Sequence, residues 1–304
     1  MRIDDAPVTD VRGPLTAQRE RLLNLLAGFG ERDWGSPTVA PLWSVKDVAL
    51  HLIDVDLSWV ARFRDHDRSG SISSSTGHEG FVRGLAQRNQ QWIDGTRVLS
   101  PRLIVEMLRW AGGEFDTALA TVDLAQPSAV QWAGEAPLWF DLAREFTERW
   151  VHFQQICEAV ARPQPNQDPP ERQESEPDAH RGAKIRGSQA EGADGFAEDQ
   201  DPYLPLVVRT FIWGFPHQYR APAPAGTAIG LEIDGVGAWT LRRSGRGAWE
   251  LDEGHPADPA ATLRATGDAA WRLLTGAPYD ERQVQLSGEP VLAAALLPVR
   301  GIIV

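Results

Sequence analysis

Apolar residues recur at helical spacing through the first half of the chain, with polar residues between them. This periodicity predicts amphipathic helices that each bury one face. Five segments have the pattern: residues 15–30, 42–65, 79–97, 101–122 and 141–162. In the fourth segment, the positions predicted to face the core are Leu103, Met107, Trp110, Phe115 and Leu119. The five segments together predict a four-helix bundle with one additional short element.

The second segment carries a clear helix-start signal. Ser44 is a favourable N-cap residue, and Asp47 stands three residues later at the capping-box position. His51 borders the apolar stripe that follows. We therefore expect a helix that begins just after Ser44 and holds the imidazole of His51 at the edge of the core.

The last segment places a carboxylate and an imidazole on one helix face. Glu148 and His152 are four residues apart, so their side chains lie one above the other. They flank an apolar stripe that consists of Leu142, Phe146, Trp150, Phe153, Cys157 and Val160. A Glu and a His at this spacing form either a structural polar pair or part of a metal site. Cys157, the single cysteine, is predicted to be a buried structural thiol rather than a nucleophile.

Beyond residue 162 the chain changes character. Residues 163–202 are almost free of large apolar side chains and rich in Pro, Gln, Asp and Glu, which predicts a flexible linker or insertion. Alternating apolar residues separated by Gly-rich turns then predict an antiparallel meander over residues 227–235, 238–247, 248–254 and 261–267. Helical patterns follow at residues 267–276 and 287–299. These elements indicate a small α+β domain.

Composition and charge exclude several classes of protein. The chain has 304 residues, of which 42% are hydrophobic, and a formal net charge of -12, which argues against a nucleic-acid-binding surface. No apolar run approaches the roughly 20 residues of a membrane span, and the N-terminus lacks the layout of a signal peptide. The sequence therefore predicts a cytoplasmic monomer or homodimer that binds neither nucleic acid nor membrane.

A third candidate ligand turns the Glu/His pair into a possible metal site. If the second and last helical segments pack side by side, His51, Glu148 and His152 face the same interior. Two histidines and one carboxylate leave a coordination position open for water or a substrate atom. A fourth protein ligand, for which His66 and Asp54 are candidates, would instead indicate a structural metal site.

Two short motifs resemble those of a known family. LWSVKDVALHL is similar to the W-S-x-x-D-x-x-x-H-L stretch of the DinB-like, mycothiol-dependent maleylpyruvate isomerases, and ERWVHFQQI resembles the E-x-x-x-H motif of their final helix. The matching residues are Trp43, Ser44, Asp47, His51, Glu148, Val151 and His152. The resemblance implies a DinB-like four-helix bundle at residues 1–162 and a sterol-carrier-like α+β domain at residues 203–304. It also implies that His51, Glu148 and His152 bind a divalent metal, usually zinc.

One position departs from the family pattern. The family commonly has an Asp three residues after the last motif histidine, where this chain has Gln155. The change removes a carboxylate that would orient His152. In the C-terminal region the resemblance assigns no catalytic residue, and Arg220, Arg272 and Arg282 are candidate contacts for an anion.

The function that the resemblance implies depends on a low-molecular-weight thiol. A bound divalent ion ionises a coordinating thiol, and the thiolate of mycothiol could then attack a small electrophile to isomerise it or to form a thioether. The chain has no serine-hydrolase elbow, P-loop or dinucleotide-binding motif. We expect a zinc- and mycothiol-dependent isomerase or S-transferase similar to maleylpyruvate isomerase. A metal-dependent hydrolase and a non-catalytic small-molecule-binding protein are the alternatives.

Overall fold

The structure is a computed structural model that describes residues 3, 6–40, 42–70, 77–130, 134–161 and 201–301. Except for its last two residues, the predicted linker at 163–202 lies outside the described residues. The division of the chain into residues 1–162, 163–202 and 203–304 therefore stays a prediction.

The first 161 residues form mainly helices. They are α1 (Arg12–Ala27), α2 (Glu31–Gly35), α3 (Val45–Phe63), α4 (Gly77–Thr96), α5 (Pro101–Leu119) and α6 (Leu138–Ala161). The five longer helices match the predicted segments to within a few residues. The short helix α2 and an antiparallel hairpin of β1 (Pro127–Val130) and β2 (Gly134–Pro137) have no counterpart among the predicted segments.

The start of α3 is held by the predicted capping box. The backbone N–H of Asp47 donates to Ser44 Oγ at 3.3 Å, and Asp47 Oδ2 accepts from the backbone N–H of Ser44 at 2.9 Å. Asp47 also forms a 2.8 Å ion pair with Arg97, just beyond the end of α4. These contacts fix the start of α3 against α4, and thereby the position of His51 in the bundle.

The predicted inner face of α5 is wrong at its N-terminal end. Leu103 and Trp110 are 46% and 56% exposed. The side that faces the core instead carries Ile104, Leu108, Ala111, Phe115 and Leu119. Both sets of residues recur at helical spacing and lie about one residue apart around the helix, so periodicity alone does not distinguish them.

The C-terminal region combines a mixed sheet with short helices. Its elements are α7 (Leu204–Ile212), α8 (Gly214–Gln218), β3 (Ala228–Ile233), β4 (Gly237–Arg243), β5 (Trp249–Glu253), β6 (Ala261–Ala265), α9 (Gly267–Thr275), β7 (Val284–Gly288) and α10 (Pro290–Ala294). The sheet has the strand order β5-β4-β3-β6-β7. Its first three strands form the predicted antiparallel meander.

Two predictions for this region need correction. Strand β6 does not extend the meander: it lies on the other side of β3 and pairs with it in parallel. The alternating pattern of residues 261–267 fits either arrangement, because the two faces of a strand alternate in both. The helix predicted over 287–299 is also wrong at both ends. Ser287 and Gly288 belong to β7, and α10 ends at Ala294.

Helix α6 joins the two regions of the chain. Trp150 packs edge-to-face on Trp271 of α9, with ring centroids 5.3 Å apart, and Phe146 makes a similar contact with Tyr203 at 5.3 Å. A continuous cluster of buried residues extends from α6 into α7, α9 and the sheet. Part of the bundle and the C-terminal region therefore share one hydrophobic core, and a second cluster, which includes Phe153 and Ile156 of α6, lies within the bundle.

Candidate metal centre

The three predicted ligands come together between α3 and α6. His51 lies on α3, and Glu148 and His152 lie one turn apart on α6. His51 Nε2 is 3.0 Å from Glu148 Oε1. One imidazole nitrogen from each histidine and one carboxylate oxygen all lie within 4.8 Å of one another. The structure thus places two nitrogens and one oxygen at a spacing that a single ion could bridge.

The charges in this cluster suit a cation. Burial alone would raise the pKa of Glu148, but the hydrogen bond from His51 and the two nearby imidazoles lower that pKa to about 2. Burial, together with the neighbouring His51, lowers the pKa of His152 to about 4. At neutral pH the carboxylate is therefore ionised and the His152 ring is neutral, which are the protonation states that metal ligands need.

Gln155 takes the place of the family's Asp and contacts the ring of His152. Its Oε1 lies 2.8 Å from His152 Nδ1. An amide oxygen only accepts hydrogen bonds, so Nδ1 carries the proton and the lone pair of the neutral ring is on Nε2. The carboxylate is absent, but Gln155 makes an orienting contact with His152 in its place.

Trp43 closes one side of the cluster. Its ring centroid is 5.0 Å from that of His51 and 6.1 Å from that of His152. The indole N–H donates to Gln90 Oε1 on α4 at 3.2 Å, which ties this wall to the neighbouring helix. The other nitrogen of His51, Nδ1, is buried and has no hydrogen-bond partner among the described residues. Packing and the contact with Glu148 therefore hold the His51 ring.

Neither candidate for a fourth ligand joins the cluster. Asp54 forms a 3.0 Å ion pair with Arg88 on α4, and His66 is exposed beyond the end of α3. Cys157 is also outside the cluster and packs half-buried against the bundle core. Among the described residues, the group of potential ligands consists of His51, Glu148 and His152.

The three arginines considered as anion contacts have other surroundings. Arg272 pairs with Glu158 of α6 at 2.7 Å and with Asp268 at 2.9 Å, and it therefore links α9 to the bundle. Arg282 is 88% exposed and pairs with the adjacent Asp280. Arg220 donates to the backbone carbonyls of Tyr219 and His217. For all three arginines, contact with an anion stays a prediction.

Comparisons with known proteins agree with this architecture. Residues 15–157 match a family model described as the mycothiol maleylpyruvate isomerase N-terminal domain. The matched range begins in α1 and ends in α6. No curated protein sequence matches the chain. The matched range includes both motifs described above, LWSVKDVALHL and ERWVHFQQI.

Two solved structures extend the likeness to the whole chain. The crystal structure of the mycothiol-dependent maleylpyruvate isomerase covers 95% of this chain and 97% of its own, with 11% identity and a TM-score of 0.53. The crystal structure of a histidine-to-alanine mutant of that isomerase has the same coverage and identity and a TM-score of 0.52. An identity of 11% shows a shared fold rather than a shared activity. The predicted fold class, a helical bundle followed by a small α+β domain, is confirmed, and the sterol-carrier-like character of that domain stays a prediction.

Within the described ranges, no helix is both long enough and apolar enough to cross a bilayer.

Proposed function

We propose that His51, Glu148 and His152 bind a divalent metal, zinc by preference, and that the protein is a mycothiol-dependent isomerase or S-transferase of a small electrophile. The observation that carries the proposal is the convergence of the three ligand atoms within 4.8 Å. A set of two imidazoles and one carboxylate fits zinc, and it leaves a position for an exogenous ligand. The similarity of residues 15–157 to the mycothiol maleylpyruvate isomerase N-terminal domain supports the choice of thiol.

The bound metal would supply one kind of chemistry, the ionisation of a coordinating thiol at neutral pH. The protein residues have separate tasks. Glu148 offers a permanent negative charge, because its pKa is lowered to about 2. Gln155 fixes the ring of His152 through the 2.8 Å contact with Nδ1, and Trp43 covers both imidazoles on one side. The half-buried Cys157 lies outside this group, so the thiol of the reaction comes from the cosubstrate.

Cobalt-substituted protein provides the direct test of thiol ligation. Addition of mycothiol should produce sulfur-to-metal charge-transfer absorbance, because the thiolate becomes a ligand of the metal. The Cys157→Ser variant should give the same spectrum and serves as the matched control. An unchanged spectrum with mycothiol, or a signal that disappears in Cys157→Ser, would contradict the proposal.

Turnover separates the proposed enzyme from its alternatives. Consumption of maleylpyruvate or a related electrophile should require both metal and added thiol. Hydrolysis without thiol would favour a metal-dependent hydrolase, and binding without turnover would favour a small-molecule-binding protein. We place the activity in the cytoplasm, where small thiols are kept reduced. A monomer and a homodimer are both compatible with the proposal.

A further inference from the structure

Arg88 on α4 is held in a defined position beside the cluster. Its Nη2 donates to Asp54 Oδ1 at 3.0 Å and to Ser58 Oγ at 2.6 Å. Both partners lie on α3, and His51, Asp54 and Ser58 follow one another at spacings of three and four residues. Such residues share one helix face. The guanidinium of Arg88 is therefore fixed on the face of α3 that carries His51, about one to two turns further along.

Helix α6 places a second guanidinium near the same level. The contacts of His51 with Glu148 and of Arg62 with Asp141 show that α3 and α6 run antiparallel. Arg144, one turn before Glu148, is consequently opposite the part of α3 that follows His51. Arg144 itself pairs with Asp141 at 3.1 Å, so the protein already neutralises part of its charge.

Two of the three guanidinium nitrogens of Arg88 lack a protein acceptor among the described residues. A guanidinium has five N–H donors, and the hydrogen bonds of Arg88 to Asp54 and Ser58 both use Nη2. Its Nε and Nη1 have no partner within the part of the chain that the structure describes, and the side chain is 35% exposed. An arginine that is anchored at one nitrogen, with its other edge open, is arranged to receive a carboxylate through two parallel hydrogen bonds.

We propose that Arg88 is the residue that anchors a carboxylate of the substrate and holds it beside the cluster. The proposal rests on the proposed function for the location of the reacting centre. Asp54 and Ser58 act as positioning residues, because they hold Arg88 without contact to the substrate. A purely structural Arg88 would neutralise Asp54 and have no effect on ligand binding.

Calorimetric titration with maleate tests the anchor directly. The probe carries two carboxylates, and maleamide, its neutral diamide, serves as the ligand control. Both are titrated into metal-free and zinc-loaded protein, so the result does not depend on metal binding or on turnover. The variants are Arg88→Lys, which keeps the charge but not the two-pronged donor edge, and the double variant Asp54→Asn/Arg88→Met, which leaves no unpaired buried charge. Arg109→Met, an exposed arginine of α5, is the matched control.

Wild type should bind maleate and not maleamide. Maleate affinity should fall about 10- to 100-fold in Arg88→Lys and in the double variant, since a charged hydrogen bond contributes about 1.5–3 kcal/mol. The affinity of Arg109→Met should stay unchanged. Equal maleate affinity in wild type and in a folded Arg88 variant, or no maleate binding by wild type in either metal state, would overturn the proposal. Loss of zinc uptake or of thiol dependence would instead contradict the proposed function and would leave the metal-free titration interpretable.

Discussion

The two sides of α6 differ in what they contact. On one side, Trp150 and Phe146 pack against α7 and α9 in the core shared with the C-terminal region. On the other side, Glu148 and His152 face α3 and meet polar groups. One helix thus combines a tightly packed apolar side with a cluster of groups suited to bind a cation. Changes on the packed side should alter stability, and changes on the polar side should alter metal binding.

The largest effect on stability is expected at Trp150. Trp150→Ala should lower the free energy of unfolding by about 3–5 kcal/mol, because it leaves a cavity in the shared core. Trp110→Ala makes the same chemical change at a side chain that is 56% exposed. It should change the free energy of unfolding by less than about 0.5 kcal/mol. Urea unfolding followed by circular dichroism measures both. A similar decrease in the free energy of unfolding for both variants would contradict the importance of the packed side of α6 for stability.

A smaller effect is expected on metal affinity at Gln155. Gln155→Ala should weaken zinc binding about 10- to 100-fold without unfolding the protein, because His152 loses the contact that fixes its tautomer. Gln155→Glu should restore the binding, since it offers a carboxylate oxygen in nearly the same place. Competition with a chromogenic chelator gives the affinities. Equal zinc affinity in wild type and Gln155→Ala would contradict this role.

The stability of metal-free protein should depend on pH through His152. Burial lowers the pKa of this ring from 6.5 to about 4, so the unfolded chain takes up the proton first as the pH falls. The free energy of unfolding should therefore decrease as the pH falls from 6.5 to 4. In His152→Asn the decrease should be smaller, because the titrating ring is gone. Urea unfolding across this pH range measures the effect. If the free energy of unfolding depends on pH equally in wild type and in His152→Asn, the prediction is wrong.

The smallest effect is expected from a cut between the two regions. The sequence of residues 163–202 lacks large apolar residues, and we expect proteases to cut there first. Because Trp150 and Trp271 belong to one core, the two fragments should remain associated and keep their metal. Size-exclusion chromatography of the digest tests this. Separation of the fragments in native buffer, or early cleavage within α6, would contradict the shared core.

The sequence was informative where local signals decide the structure. The capping box of Ser44 and Asp47 located the start of α3, and the four-residue spacing of Glu148 and His152 placed both on one face of α6. His51 reaches Glu148 and His152 only because α3 packs beside α6, an arrangement that the family resemblance implied. The structure brings the three side chains together, and their role as ligands is a proposal.

Other features depend on contacts between distant residues, which local patterns do not encode. The outer position of Trp110 and the parallel pairing of β6 with β3 each follow from which neighbour covers which face. The role of Arg88 depends on Asp54 and Ser58, about 30 residues earlier in the chain. The contact of Gln155 with His152 was accessible from the sequence as an i, i+3 pair, although the exchange of an acid for an amide concealed it.

Metal content is the most direct test of the central claim that α3 and α6 form a metal centre. Protein purified without chelator should contain about one equivalent of divalent metal, and Trp110→Ala should retain it. His51→Ala or His152→Ala should lose the metal, and Glu148→Gln should bind it far more weakly, while circular dichroism shows an intact fold. If elemental analysis finds no metal in the wild type and none binds on titration with zinc, the metal centre and the function built on it are wrong.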